Sequence, residues 1–534
     1  MLCRVNRRDA LGLIGLSALG SAAARLGAVG GPAAGAQSRD PDVELLLTAA
    51  PDDVELLGGE ATRVWRFTGR VLRGPAETLQ PIDGSYLGPT IRLRRGQRVR
   101  VRFRNQLDEA SIVHWHGLDV PQAADGHPRL AVRGGREYRY DFTVTNRAGT
   151  YWYHPHPHLR TGPQVYLGLA GLLVVDDEEE RALELPSGRS ELVCVLQDRT
   201  FDDRNQLVYP DTSEMAGAAG GRGRMGVGVG RGRLGLAAMA AMMAIENGVL
   251  GDHVLVNGRP DYTAEVESGW ARLRLLNGSN SRVYKLAWHD NRPMTVIGGD
   301  GGLLERGVER RAITLAPAQR ADVLVDLSGL ADDVRLRLVS LAFPEAEAGH
   351  VGMMMGATPR PPQGTALPVM TLRTRGRNAR AVRLPDRLSA FDAAWAAVPD
   401  APVRRVPLTF LRMQWTIDGR VFDMQDVADV ETVRAGSTHV WELVNIPNPM
   451  GLQMAHPIHL HGRQFRVLGR SGGSPASELR PGIVDAGWTD TVLVLPGETV
   501  RLQVPFSSHT GLFLYHCHIL EHEDLGMMRN FRIL

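Results

Sequence analysis

Lysine is almost missing from this chain: among 61 basic residues, Lys285 is the only lysine. With alanine and glycine abundant, that bias reflects composition rather than chemistry and assigns no function. An excess of one charge is missing as well. The 61 basic and 59 acidic residues are spread along the chain and leave a formal charge of +2, so there is no basic footprint for nucleic acid. Cysteine is scarce, with three in 534 residues. Cys3 lies in a leader and Cys517 in a metal-binding pattern, so no pair remains for a structural disulfide. Cys194, in the alternating run Glu-Leu-Val-Cys-Val-Leu, is expected in the core. Long apolar runs are lacking too. The stretch from Leu11 to about Ala24 is too short and glycine-rich to span a bilayer comfortably, which argues against stable membrane insertion.

What is present starts with a targeting segment. Paired arginines in Asn6-Arg7-Arg8-Asp9 precede the short apolar stretch, and Ala34-Gly35-Ala36 offers a small-residue cleavage site. The pattern resembles a twin-arginine export signal over residues 1–36, which implies a periplasmic or otherwise exported protein. Cleavage would remove four arginines and one aspartate and take the net charge from +2 to −1.

The remainder reads as all-β, in short alternating runs such as Thr62-Arg-Val-Trp-Arg-Phe-Thr bounded by Gly, Pro and Asn. One strand pattern recurs three times, at Arg98–Arg104, Ala271–Asn277 and Thr438–Asn445, each followed by a loop that starts at Asn. Three similar β-sandwiches are expected, at 40–180, 185–362 and 366–534. The acidic run Asp176–Glu180 and the Pro-rich stretch 358–368 serve as connectors.

The chemistry is concentrated near the C-terminus, in His516-Cys517-His518-Ile-Leu-Glu-His522-Glu-Asp-Leu-Gly-Met527. A Cys with a His five residues on and a Met ten residues on supplies the ligands of a blue-copper centre, once a second His arrives. On a strand, period-2 alternation turns Cys517 to one face and His516 and His518 to the other. One short segment then touches two copper centres. Further pairs stand at His114-Trp-His116, His154-Pro-His156-Pro-His158 and His459-Leu-His461. Seventeen histidines would give about half of one H-x-H pair by chance; five occur, so coincidence is excluded. Each pair presents two imidazoles on one face, roughly 7 Å apart, suited to neighbouring ions. His456, an odd number of residues from His459, turns to the opposite face and can complete the site at Cys517. A zinc site is disfavoured by the Met at this spacing and by the paired histidines.

These four blocks resemble the copper motifs of multicopper oxidases, the family of laccases, bilirubin oxidases, ferroxidases and cuprous oxidases. Weaker marks are Leu87-Gly-Pro-Thr-Ile, Gly251-Asp252 with Val254–Gly258, and Arg320-Ala-Asp-Val-Leu-Val-Asp326. The resemblance implies three cupredoxin-like Greek-key β-sandwich domains and four copper ions. His456, Cys517 and His522 would bind a type 1 copper with Met527 axial; His114 and His459 would bind type 2. His116, His154, His156, His461, His516 and His518 would bind the type 3 pair. It further implies single electrons from a small-molecule reductant, a phenol, aromatic amine or Cu(I), passed on to reduce O2 to water, by a monomer. Asp125 and Glu523 match acidic residues near the cluster of cuprous oxidases and are candidate proton relays. Asp490 is a candidate acceptor for a ligating His, and His158 is expected beside the cluster rather than in it.

The stretch 214–248 is Gly/Arg-rich and then Met-bearing. With Met215, Met225, Met239, Met242 and Met243, and Met353–Met355 elsewhere, it reads either as a Cu(I)-binding antenna or as helix packing. In cuprous oxidases such an insertion belongs to the third domain, whereas here it falls early in the second. Two alternatives share the fold. Some relatives have lost copper ligands and act as exported structural factors in cell division, which the complete ligand set here opposes. Copper nitrite reductases lack the H-C-H run and are shorter.

Overall fold

The computed structural model describes residues 40–210, 244–349, 361–377, 382–411, 414–447, 453–506 and 509–534. The leader and the methionines at 215, 225, 239, 242, 243 and 353–355 lie outside them. Six sheets fall into three successive pairs, built from residues 43–176, 191–377 and 403–533. Each pair closes on its own core. In the first, Val43, Leu45 and Leu47 of one sheet meet Trp115, Tyr151 and Leu173 of the other. Strand Val43–Val54 shows why: its first eight residues alternate buried and half-buried, the period-2 signature of a strand with one face on a core. No helix among the described residues is long and apolar enough to cross a membrane.

The recurring strand has the same place in every sandwich. Strands Arg98–Asn105, Trp270–Asn277 and Thr438–Asn445 each pair in parallel with the opening strand of their sandwich. On the other edge each pairs antiparallel, with Glu137–Thr143, Arg320–Asp326 and Glu498–Pro505 respectively. Parallel neighbours within largely antiparallel sheets need long crossovers, as Greek keys have. The terminal Asn explains the sequence repeat. Asn105, Asn277 and Asn445 are buried, and each side-chain amide donates to two backbone carbonyls, such as Glu109 O and Val132 O, both at 2.8 Å from Asn105. An amide is the small group that satisfies two buried carbonyls at once.

The acidic connector is a short helix, Glu178–Ala182, capped by the Asp177 carboxylate on Glu180 N at 2.8 Å. Its Glu180 is buried and receives Arg272 Nη1 at 2.9 Å and Arg274 Nη2 at 2.7 Å, tying the first sandwich to the second. Burial alone would raise its pKa, but Arg274 and Arg272 outweigh that and bring it down to about 2. A carboxylate depressed in the fold adds stability that is complete above its ordinary pKa and fades as pH falls through the folded value. Glu180→Gln should therefore cost about 3 kcal/mol at neutral pH, and the gap to wild type should close between about pH 5 and 2. Chemical denaturation across that range measures it; a gap independent of pH would contradict the assignment.

Candidate metal centre

Strands His456–Leu460 and Gly511–Cys517 run antiparallel, with His459 opposite His516 and Ile458 opposite Cys517. Alternation then sorts the ligands. His456 and Cys517 face the core of the third sandwich, while His459 and His516 face the first. The helix Leu520–Asp524 returns His522 to Cys517, so Sγ lies 3.5 Å from His456 Nδ1 and 3.6 Å from His522 Nδ1. Gly126 and Gly526 both adopt positive φ beside these sites; at Gly526, φ of 95° lets the chain reverse. Met527 follows it, donating its N–H to His522 O at 2.8 Å and accepting Cys517 N–H at 3.0 Å. All four side chains are fully buried. Burial pushes the Cys517 thiol well up, so a thiolate here requires a cation. Trp415 packs on both imidazoles, with ring centroids 4.7 and 5.5 Å away.

The second cluster lies between the first and third sandwiches. Burial holds His114, His116, His156, His461, His516 and His518 well below the ordinary imidazole range, and brings His154 down to about 3. These rings are neutral, with one N–H and one lone pair each. Their hydrogen bonds assign the tautomers. His114 Nδ1 donates to Asp125 O at 2.6 Å and His459 Nδ1 to Asp490 O at 2.9 Å, yet their bare Nε2 atoms face each other at 3.3 Å. His116 Nε2 donates to Asp490 Oδ1 at 3.0 Å and His154 Nδ1 to Pro155 O at 2.9 Å; their other nitrogens face at 3.4 Å. His461 Nδ1 donates to Asp125 Oδ2 at 2.8 Å and His516 Nδ1 to Cys517 O at 3.0 Å; their Nε2 atoms face at 3.1 Å.

Two lone pairs at such distances repel unless a cation lies between them, and there are three such couples. His156 Nε2 adds to the last couple, 3.4 Å from His516 Nε2, and both His518 nitrogens are buried without a partner, as free ligands would be. The donor set therefore fits metal cations in this cluster and at Cys517. The groups His114/His116/His154, His114/His459/His461, His156/His461/His516 and His456/Cys517/His522 each converge tightly enough to hold an ion.

Family models for multicopper oxidases match residues 64–180 and 399–534. A multicopper oxidase of Staphylococcus aureus, Mco, is 31% identical over 451 residues, covering 84% of this chain and 83% of that protein. The chain belongs to the multicopper oxidase family. The solved structure of the Aquifex aeolicus multicopper oxidase McoA superposes with a TM-score of 0.73 at 33% identity, covering 92% of this chain and 96% of that one. The fold is accordingly all-β and cupredoxin-like. The cell division protein FtsP of Escherichia coli is also similar, 31% identical over 468 residues and 86% of each chain. Copper is the cofactor of the family.

The remaining expectations divide on contact. Asp125 reaches His114 through its carbonyl and His461 through its carboxylate, and burial pushes its carboxyl up to about 8. Glu523 accepts from Thr161 Oγ1 at 2.6 Å and lies 3.4 Å from His156 Nε2 and 3.3 Å from His516 Nδ1. Burial also raises its pKa well above the ordinary range. Asp490 is buried against His116 and His459. His158 joins no ligand group among the described residues, as expected, but it is exposed and packs on Phe422 at 5.5 Å rather than against the cluster. Sequence reasoning missed Glu246, whose backbone carbonyl accepts His522 Nε2–H at 2.9 Å and Trp415 Nε1–H at 3.1 Å. A main-chain contact carries no side-chain signature.

Proposed function

We propose that this protein couples one-electron oxidation of a small donor to four-electron reduction of O2 to water. The observation that carries the reading is the set of three facing lone-pair couples, joined to the His456–Cys517–His522 site by the H-C-H run. The type 1 copper is assigned to His456, Cys517, His522 and Met527, type 2 to His114 and His459, and the type 3 pair to the other six histidines. Bound copper supplies the one-electron steps at both sites. Cys517 links them covalently, with His516 and His518 as its peptide neighbours. Asp125 and Glu523, each against a cluster imidazole, hold protons for the water formed. E. coli FtsP and S. aureus Mco are each 31% identical to this chain, so percent identity does not choose between oxidase and structural factor; the intact donor set favours the oxidase. Export by the twin-arginine leader and a monomeric state complete the proposal, with domain limits at 40–180, 185–377 and from 378 to 534: the expected boundary at 362–366 moves because strand Leu367–Arg377 pairs with Thr263–Ser268 and Arg335–Ser340 of the second sandwich.

The edge of the type 1 site supports a small donor such as Cu(I). His522 is fully buried and its outer N–H is already taken by Glu246 O, while Ile245 and Val249 seat that segment against Tyr166. A phenol or aromatic amine cannot make the hydrogen bond to His522 that direct contact would give. A small donor such as Cu(I) needs no such contact. Oxygen uptake by copper-loaded protein, corrected with Cys517→Ser, is expected to run faster with Cu(I) than with a bulky phenol. Faster uptake with the phenol contradicts the covered edge. No uptake from either donor, with four coppers bound, returns the structural-factor reading to first place.

A further inference from the structure

We infer that Arg320, from the second sandwich, is the positioning residue of the copper cluster, acting through Asp490 on one imidazole of each of two facing couples. The inference rests on the copper-cluster reading above. Arg320 and Asp490 are fully buried side chains. The guanidinium has five N–H groups and the structure gives each an acceptor. Nη1 donates to Asp490 Oδ1 at 2.8 Å and Ala318 O at 2.9 Å, Nη2 to Asp490 Oδ2 at 2.5 Å and Asp300 O at 3.0 Å, and Nε to Thr150 O at 3.0 Å. Its backbone N–H donates to Asp300 Oδ1 at 2.7 Å. A planar fork fixed at every corner cannot turn, so the carboxylate it grips in two places cannot turn either.

Asp490 transmits that constraint. Its Oδ1 takes His116 Nε2–H at 3.0 Å and its backbone carbonyl takes His459 Nδ1–H at 2.9 Å. His116 faces His154, and His459 faces His114, so one aspartate orients ligands of two separate cations. Thr150, the acceptor for Nε, belongs to the strand Gly149–Pro155 that carries His154. Arg320 thus pins three pieces of backbone around the cluster without touching an ion. Gly117 shows how closely the latch is packed: at φ 90°, a Cβ there would lie 2.5 Å from Asp490 Oδ2 and 2.8 Å from Arg320 Nη2.

The test uses Arg320→Lys, which keeps the charge and loses the fork, and Gly117→Ala, which keeps both charges and displaces the carboxylate. Copper per chain, copper affinity and the type 2 paramagnetic signal are read beside the blue absorption of the Cys517 site, which reports a native third sandwich in the same sample. The expected result is intact blue absorption with cluster copper bound about 10- to 100-fold more weakly and the copper of the His116–His154 couple lost first, the type 2 signal outlasting it. Unchanged cluster affinity in both variants overturns the inference, as does joint loss of blue absorption and cluster copper, which would make Arg320 a folding residue only. A wild-type chain that takes up copper at Cys517 alone would instead overturn the cluster reading itself, and this inference with it.

Discussion

Cys517→Ser is expected to remove the blue absorption and to cut donor-driven oxygen uptake by more than about 100-fold, since loss of a first ligand exceeds the 10- to 100-fold cost of losing a partner behind it. Sγ is set between His456 Nδ1 and His522 Nδ1, at 3.5 and 3.6 Å, and a serine hydroxyl in the same buried pocket is a harder, weaker donor. The loss should be confined. His516 and His518 keep their backbone and their places opposite the first sandwich, so the cluster should still take up its copper. Elemental analysis with absorption spectroscopy reads both. Retained blue colour would remove Cys517 from the type 1 site.

Glu523→Gln is expected to lower turnover by about 10²- to 10⁴-fold, the range of a positioned acid or base, with copper content unchanged. Its carboxyl sits, buried, between Thr161 Oγ1 at 2.6 Å and the imidazoles of His156 and His516. An amide fills the same volume and keeps the hydrogen bond from Thr161, but it cannot deliver a proton. Pre-steady-state reduction of the blue site should remain as fast as in wild type, because that step moves an electron alone. A variant that turns over normally would make Glu523 a packing carboxylate; one that loses copper would make it structural.

The candidate ligands were legible in the sequence because their placement is local. H-x-H places two imidazoles on one face of a strand whatever the surrounding fold, and the odd spacing from His456 to His459 sends one ring to Cys517 and the other across to the first sandwich. The strand repeat was legible for a related reason: Asn105, Asn277 and Asn445 each close a turn with the same pair of carbonyl contacts. What holds the ligands was harder to read. Arg320 and Asp490 are 170 positions apart and meet only because the second and third sandwiches pack together. The cover on His522 is a carbonyl, to which the identity of residue 246 contributes nothing. His158 continues the H-x-H spacing, yet it is exposed and packs on Phe422 rather than on the cluster.

The most direct measurement is the number of donor electrons consumed for each O2 taken up by the copper-loaded mature protein, with hydrogen peroxide assayed in the same vessel. The two joined sites predict four electrons per O2 and no peroxide, because the cluster can complete the reduction before releasing oxygen. Two electrons per O2 with peroxide accumulating would contradict that account, showing a blue site that reacts without the cluster.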